Sequence, residues 1–218
     1  MDIEEYILND VAIRHFSDKI GDLQNDFNQL TYSHLPVENN GIYMGCISEN
    51  DIRCFEAEKS IEDYQYALEG FFVRSTDYWL DILESFAQNN SNILPVLDSD
   101  NEYLGYVELN EIMGIFNETP FLNEAGNIIV VEKGFKDYSL SEISQIIESS
   151  NVHLLGLFVS KIENDLAQIT IKINPSGINE VIQSLRRYGY NIISQHQEDA
   201  FDKNLRDRSK YLDKYLNI

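Results

Sequence analysis

Cysteine is nearly absent, cations are scarce, and no apolar run is long. The two cysteines, Cys46 and Cys54, have neither a CxxC spacing nor a histidine cluster nearby, so the chain supports no disulfide framework and no zinc site. A reducing, cytoplasmic setting is the expectation. Only 16 lysines and arginines stand against 37 aspartates and glutamates, a formal net charge of -21. Such a chain repels phosphate backbones and anionic lipid headgroups, so neither nucleic acid nor a membrane surface is expected as a partner. The longest apolar runs, such as Leu154 to Val159, are too short to span a bilayer. The opening Met1-Asp2-Ile3-Glu4-Glu5 is acidic where a leader segment would be basic.

Catalytic patterns are missing too. His15, His34, His153 and His196 lie far apart, with no HExxH spacing, and the chain has no GxSxG, P-loop or GxGxxG. Neither an enzyme nor a bound metal or cofactor is expected. What remains is a chain of 218 residues, 43% hydrophobic, long enough for one large domain or two to three small ones.

The chain does contain a repeat. Shifted by 59 residues, Leu35-Pro36-Val37 falls on Leu94-Pro95-Val96, Ser17-Asp18 on Thr76-Asp77, and Phe27 on Phe86. One residue inserted in a turn then brings Gly45 onto Gly105, Ile47 onto Val107 and Ile52 onto Ile112. Each copy reads as β-α-β-β-α. A short strand (Val11 to Ile13; Phe71 to Val73) leads to a helix capped by Ser17 or Thr76. The helix carries the apolar stripe Ile20, Leu23, Phe27 and Leu30, or Trp79, Ile82, Leu83 and Phe86. A Leu-Pro-Val strand, a turn rich in Asn, Asp and Gly, a second strand and a second helix complete the unit. A unit this small needs its twin, so the copies are expected to pack sheet to sheet. His34 aligns with Ile93, which marks it as a packing position, and Cys46 aligns with Tyr106 on a strand.

Leu-Pro-Val before a hairpin, followed by Gly45-Cys46-Ile47-Ser48-Glu49-Asn50-Asp51, resembles the CBS-domain pair. The resemblance implies a disc-like module, often dimeric, whose clefts hold adenosine-containing ligands. It makes Ser48 the phosphate contact and Asp51 the ribose contact, with Ile13 and Pro36 in the same ligand-binding set. The second copy, Gly105-Tyr106-Val107-Glu108-Leu109-Asn110-Glu111, places a glutamate at the hydroxyl position, where its charge opposes phosphate. Any nucleotide is therefore expected in the first cleft and weakly charged. The rival reading, a ligand-free assembly protein with degenerate pockets, treats Ser48 and Asp51 as a helix N-cap pair.

After Asn117-Glu118-Thr119-Pro120 the pattern changes to βαββαβ. Strands are expected at Asn127 to Glu132, Val152 to Ile162, Gln168 to Ile173 and Asn191 to Ser194. One helix, opened by Ser139 or Ser141, carries Leu140, Ile143, Ile146 and Ile147, and a second carries Ile178, Val181, Ile182 and Leu185. This order is ferredoxin-like and looks like an ACT-type domain. The whole layout looks like the bacterial acetoin-utilisation regulatory family. That resemblance carries Gly134, in the loop after the first strand, over as a ligand-binding position. The expected fold class is thus α+β: tandem CBS-like βαββα repeats (1–60 and 61–118), an ACT-like ferredoxin-fold domain (126–197) and a helical tail (198–218), with a homodimer as the expected assembly.

Overall fold

The computed structural model describes residues 3–194, so the tail expected over 198–218 and His196 lie outside the described residues. The chain divides into two compact units, Met1–Glu118 and Thr119–Ile218. In the first unit one repeat runs β1 (Arg14–His15), α1 (Ile20–Gln29), β2 (His34–Asn39), β3 (Ile42–Ser48) and α2 (Glu49–Ile52). The other runs β4 (Val73–Arg74), α3 (Trp79–Asn89), β5 (Ile93–Leu97), β6 (Tyr103–Glu108) and α4 (Leu109–Asn117). Each makes a three-stranded sheet in which the first strand is parallel to the second and the second antiparallel to the third. Registers match as well: Pro36 opposes Cys46 and Pro95 opposes Tyr106, and both hairpins break register just after Val37 or Val96.

Two local expectations are corrected. The first strands pair later than residues 11–13 and 71–73, at Arg14–His15 and Val73–Arg74. Val11 and Phe71 are apolar because they pack against the two cores, not because they sit in a ladder. Ile13 consequently precedes its strand. Ser17 and Thr76 cap nothing, since the helices begin at Ile20 and Trp79. The aspartates beside them form turns instead. Asp18 Oδ2 accepts from the His15 N–H at 2.9 Å and Asp77 Oδ2 from the Arg74 N–H at 2.7 Å.

Strand alternation assigns the two faces of each sheet. Leu35, Val37 and Ile47 pack with Ile20, Leu23 and Phe27 to form one core. Leu94, Val96 and Val107 do the same with Ile82, Phe86 and Ile112. The opposite faces carry His34, Pro36, Cys46 and Ser48 in one repeat and Ile93, Pro95, Tyr106 and Glu108 in the other. The repeats meet through stacked Tyr43 and Tyr103 rings, 6.4 Å apart, and through hydrogen bonds between Ser33 and Asn92.

A further exchange ties them. The segment leading into each repeat lies along the other repeat's hairpin: Leu8 bridges to Tyr106 and Glu69 to Cys46, each through a reciprocal pair of backbone hydrogen bonds. Gly45 and Gly105 make this approach possible. Both have positive φ, 135° and 149°. A Cβ on Gly45 would lie 2.8 Å from the Glu69 carbonyl oxygen, and one on Gly105 would overlap that of Leu8.

The second unit begins with α5 (Pro120–Asn123) and continues β7 (Asn127–Gly134), α6 (Leu140–Ser149), β8 (Leu154–Glu163), β9 (Leu166–Ile173), α7 (Ile178–Arg187) and β10 (Asn191–Ile192). Its antiparallel sheet has the order β10-β7-β9-β8, the ferredoxin-like arrangement. One sheet face, with Ile129, Val131, Ile169, Ile171 and Ile173, packs against Ile143, Ile146, Ile147, Val181 and Leu185 of the helices. Asn164 and Asp165, at φ 52° and 59°, turn β8 into β9.

Candidate ligand clefts

The first cleft is built on the hairpin face that carries Pro36 and Ser48. Ser48 ends β3 in extended conformation and serves as the N-cap of α2, accepting the Asp51 N–H at 3.2 Å. Its hydroxyl donates to Asp51 Oδ2 at 2.7 Å. The hydroxyl and the carboxylate therefore stand together, and because the Ser48 hydroxyl engages Oδ2, Asp51 keeps acceptor capacity on Oδ1. Pro36 is buried on the same face, opposite Cys46. Ile13 is half-buried, one residue before the Arg14 to Val37 pairing.

His34 lies directly opposite Ser48 in the ladder, with only 7% of its side chain exposed. Its Nε2 is 3.4 Å from Glu69 Oε1, its Nδ1 is 2.8 Å from Ser33 Oγ, and its ring meets Phe71 edge-on at 5.3 Å. Burial pulls the imidazole below the usual histidine range, and Glu69 and Asp51 pull the other way. His34 is thus buried, as alignment with Ile93 implies, but it is also polar and paired. Cys46 is fully buried, its thiol pushed up to about 12 by that burial, so it stays protonated at neutral pH. Arg53, the nearest cation in sequence, is held by Glu49 at 2.5 Å.

The second cleft is filled by its own side chains. Tyr106 replaces Cys46 and carries a phenol into the space. Its hydroxyl lies 3.0 Å from that of Tyr32 and donates to Asp10, while Tyr32 donates to Glu108 Oε1 at 2.5 Å. Burial, with the carboxylates beside them, raises both phenols above the usual tyrosine range. Glu108, which the sequence presents as a charge facing a ligand, is engaged by Tyr32 of the other repeat.

Gly134 ends β7 in the second unit, and its carbonyl accepts the Asp137 and Tyr138 N–H groups at 2.8 and 3.0 Å. A Cβ there would come within 2.7 Å of Asp137 Oδ2. That contact is with the end of a side chain that can turn aside, and Gly134 has no positive φ, so the turn accommodates glycine without demanding it. Among the described residues no group of three or more His, Cys, Asp or Glu side chains is placed to hold a metal ion, and no helix is long and apolar enough to cross a membrane.

What missed His34 and Tyr32 was column-by-column alignment. His34 over Ile93 and Cys46 over Tyr106 look like packing substitutions until the lead-in segments, Leu8 to Asp10 and Glu69 to Phe71, are placed across them. The usable signal lay in the acids of those segments, Asp10 and Glu69.

Residues 69–118, within the second repeat, match the family model for the CBS domain. No curated protein matches the chain. Among solved structures, a CBS domain pair/ACT domain protein from Thermotoga maritima is similar at 19% identity and a TM-score of 0.49, over 54% of this chain and 98% of that one. The CBS domains of a transcriptional regulator from Streptococcus pneumoniae are similar at 16% identity and a TM-score of 0.47, over 52% and 98%. CBSX2 in complex with AMP is similar at 14% identity and a TM-score of 0.45, over 53% and 95%.

Proposed function

We propose that the chain is a cytosolic, non-catalytic regulatory module that senses an adenosine-containing small molecule in its first cleft. The second repeat matches the CBS-domain family model, and the first repeats its topology and ladder registers. That internal symmetry supports a CBS pair over 1–60 and 61–118. The ferredoxin-like sheet supports an ACT-like domain over 126–197, and the layout as a whole supports a homodimer of the acetoin-utilisation regulatory type. Gly134 is the proposed approach point for any small molecule at that domain.

One observation carries the ligand reading. Ser48 and Asp51 are paired at 2.7 Å in the first cleft, while Tyr32, Tyr106 and Glu108 fill the equivalent space in the second. A carboxylate suits two ribose hydroxyls. With Glu69 beside it and Arg53 occupied by Glu49, the cleft suits adenosine, a monophosphate or a sulfonium-bearing adenosyl compound better than a triphosphate. Isothermal titration of the full chain with adenosine, AMP and ATP tests this. One site per chain, preferring the first two and weakened at least tenfold in Asp51→Ala, is expected; no heat from any of them at millimolar concentration overturns it. The ligand-free scaffold reading has its own support, because Ser48 already satisfies Asp51 as an N-cap pair.

A further inference from the structure

We propose that His34 is a proton-operated relay between the first cleft and the seam of the two repeats, turning the Ser33 hydroxyl from one acceptor to another. The Ser33 hydroxyl has one proton and three atoms within reach: His34 Nδ1 at 2.8 Å, Asn92 Oδ1 at 3.0 Å and Ser91 Oγ at 3.4 Å. Ser91 gives its own proton to the Ile93 carbonyl and can only accept. On the far side of the ring, Nε2 faces Glu69 Oε1 at 3.4 Å, and a carboxylate also only accepts.

A neutral imidazole has one N–H to place. On Nε2 it serves Glu69, and bare Nδ1 then draws the Ser33 proton away from Asn92. When the ring takes up a proton, both nitrogens become donors. The Ser33 hydroxyl must then turn away from Nδ1, and Asn92 Oδ1 is its nearest remaining acceptor. One proton enters, one hydroxyl rotates, and every hydrogen remains bound.

Asn92 is well placed to pass the change on. Its Oδ1 already accepts the Ser33 N–H at 2.8 Å, its N–H donates to Ser33 Oγ at 3.0 Å, and its Nδ2 donates to the Thr31 carbonyl at 2.7 Å. Its own carbonyl accepts the N–H of Leu109, the first residue of α4, at 3.0 Å. A proton at His34 thus changes what the side-chain Oδ1 of Asn92 accepts, on the residue whose backbone carbonyl holds the first N–H of the second repeat's helix.

The groups facing the imidazole set its titration. Glu69 comes from the lead-in segment and Asp51 from α2, and both favour the protonated ring. Ser33 and the Phe71 ring are neutral, as is the thiol of Cys46 on the same sheet face. Burial opposes the charge and outweighs the carboxylates. The relay operates with or without a ligand in the cleft.

NMR of the full chain through a pH series tests it, following the histidine rings and the Ser33 and Asn92 amides. The expected result is a His34 transition while the protein is folded, with both amides shifting at the same midpoint. Glu69→Gln should carry all three midpoints down together by about one pH unit, and Ser33→Ala should uncouple Asn92 from the ring. The proposal is overturned if the ring titrates while the Ser33 and Asn92 amides stay flat, if Glu69→Gln moves the ring alone, or if His34 does not titrate before unfolding. Glu69→Gln keeps the test decisive should Ser33→Ala fail to fold.

Discussion

Gly45 and Gly105 are interchangeable in sequence terms and share one reason to be glycine. Each adopts a positive φ and lies under a carbonyl from the opposite lead-in segment, so any side chain both strains the backbone and pushes that segment off the hairpin. Gly105→Ala, where the overlap is greater, should cost roughly 2–4 kcal/mol and Gly45→Ala somewhat less, as read from urea unfolding midpoints. At His34 the pKa direction sets the sign of a pH effect. Its folded value lies below the ordinary 6.5, so the unfolded chain binds the proton more tightly. The contribution is complete above 6.5 and is lost as pH falls toward the folded value. A urea series should show stability rising with pH in the window just below 6.5, and His34→Asn should flatten that slope. An equal slope in the variant assigns it to other groups.

Among the elements, those with a strong internal period were legible before any coordinates. The stripes Ile20, Leu23, Phe27 and Trp79, Ile82, Phe86 form helices and bury those residues, because a 3.6-residue period has few other ways to be satisfied. The Leu-Pro-Val strands and the βαββαβ order of the second unit were equally plain. Elements of two residues were not. Arg14–His15 and Val73–Arg74 are strands only because a parallel partner lies beside them, and no local composition announces that. Caps divided in the same way. Ser139 accepts the Glu142 N–H at 3.3 Å and opens α6, whereas the Ser17 and Thr76 signals are turns. Ser139→Ala should therefore cost about 1 kcal/mol, and Thr76→Ala should stay within about 0.5 kcal/mol. Thermal denaturation of the two variants side by side distinguishes a cap from a turn.

At the scale of the whole molecule, the duplication is symmetric in its cores and asymmetric in its clefts. Reading down aligned columns recovered the first half of that statement and part of the second: Ser48 and Asp51 against Glu108 and Glu111. It could not show that Tyr32 and Tyr106 meet beside Glu108, nor that His34 pairs with Glu69. Those contacts join residues 74 and 35 positions apart and depend on the crossing of the lead-in segments. The asymmetry makes one ligand per chain the natural stoichiometry, and an unequal response of the two repeats the natural consequence. Removing the fillers should open the second cleft. A Tyr32→Ala, Tyr106→Cys, Glu108→Ser triple variant is expected to gain a weaker second site by isothermal titration, and unchanged stoichiometry would contradict the role given to these side chains.

The central claim is that a single adenosyl ligand occupies the first cleft of each chain. Native mass spectrometry of the full protein with adenosine or AMP addresses it most directly, since subunit number and ligand number appear in one spectrum. A dimer of the 25.2 kDa chain carrying one ligand per chain, with the adducts lost in Asp51→Ala, is the predicted result. Bare protein throughout the titration, or adducts that Asp51→Ala retains in full, would contradict it.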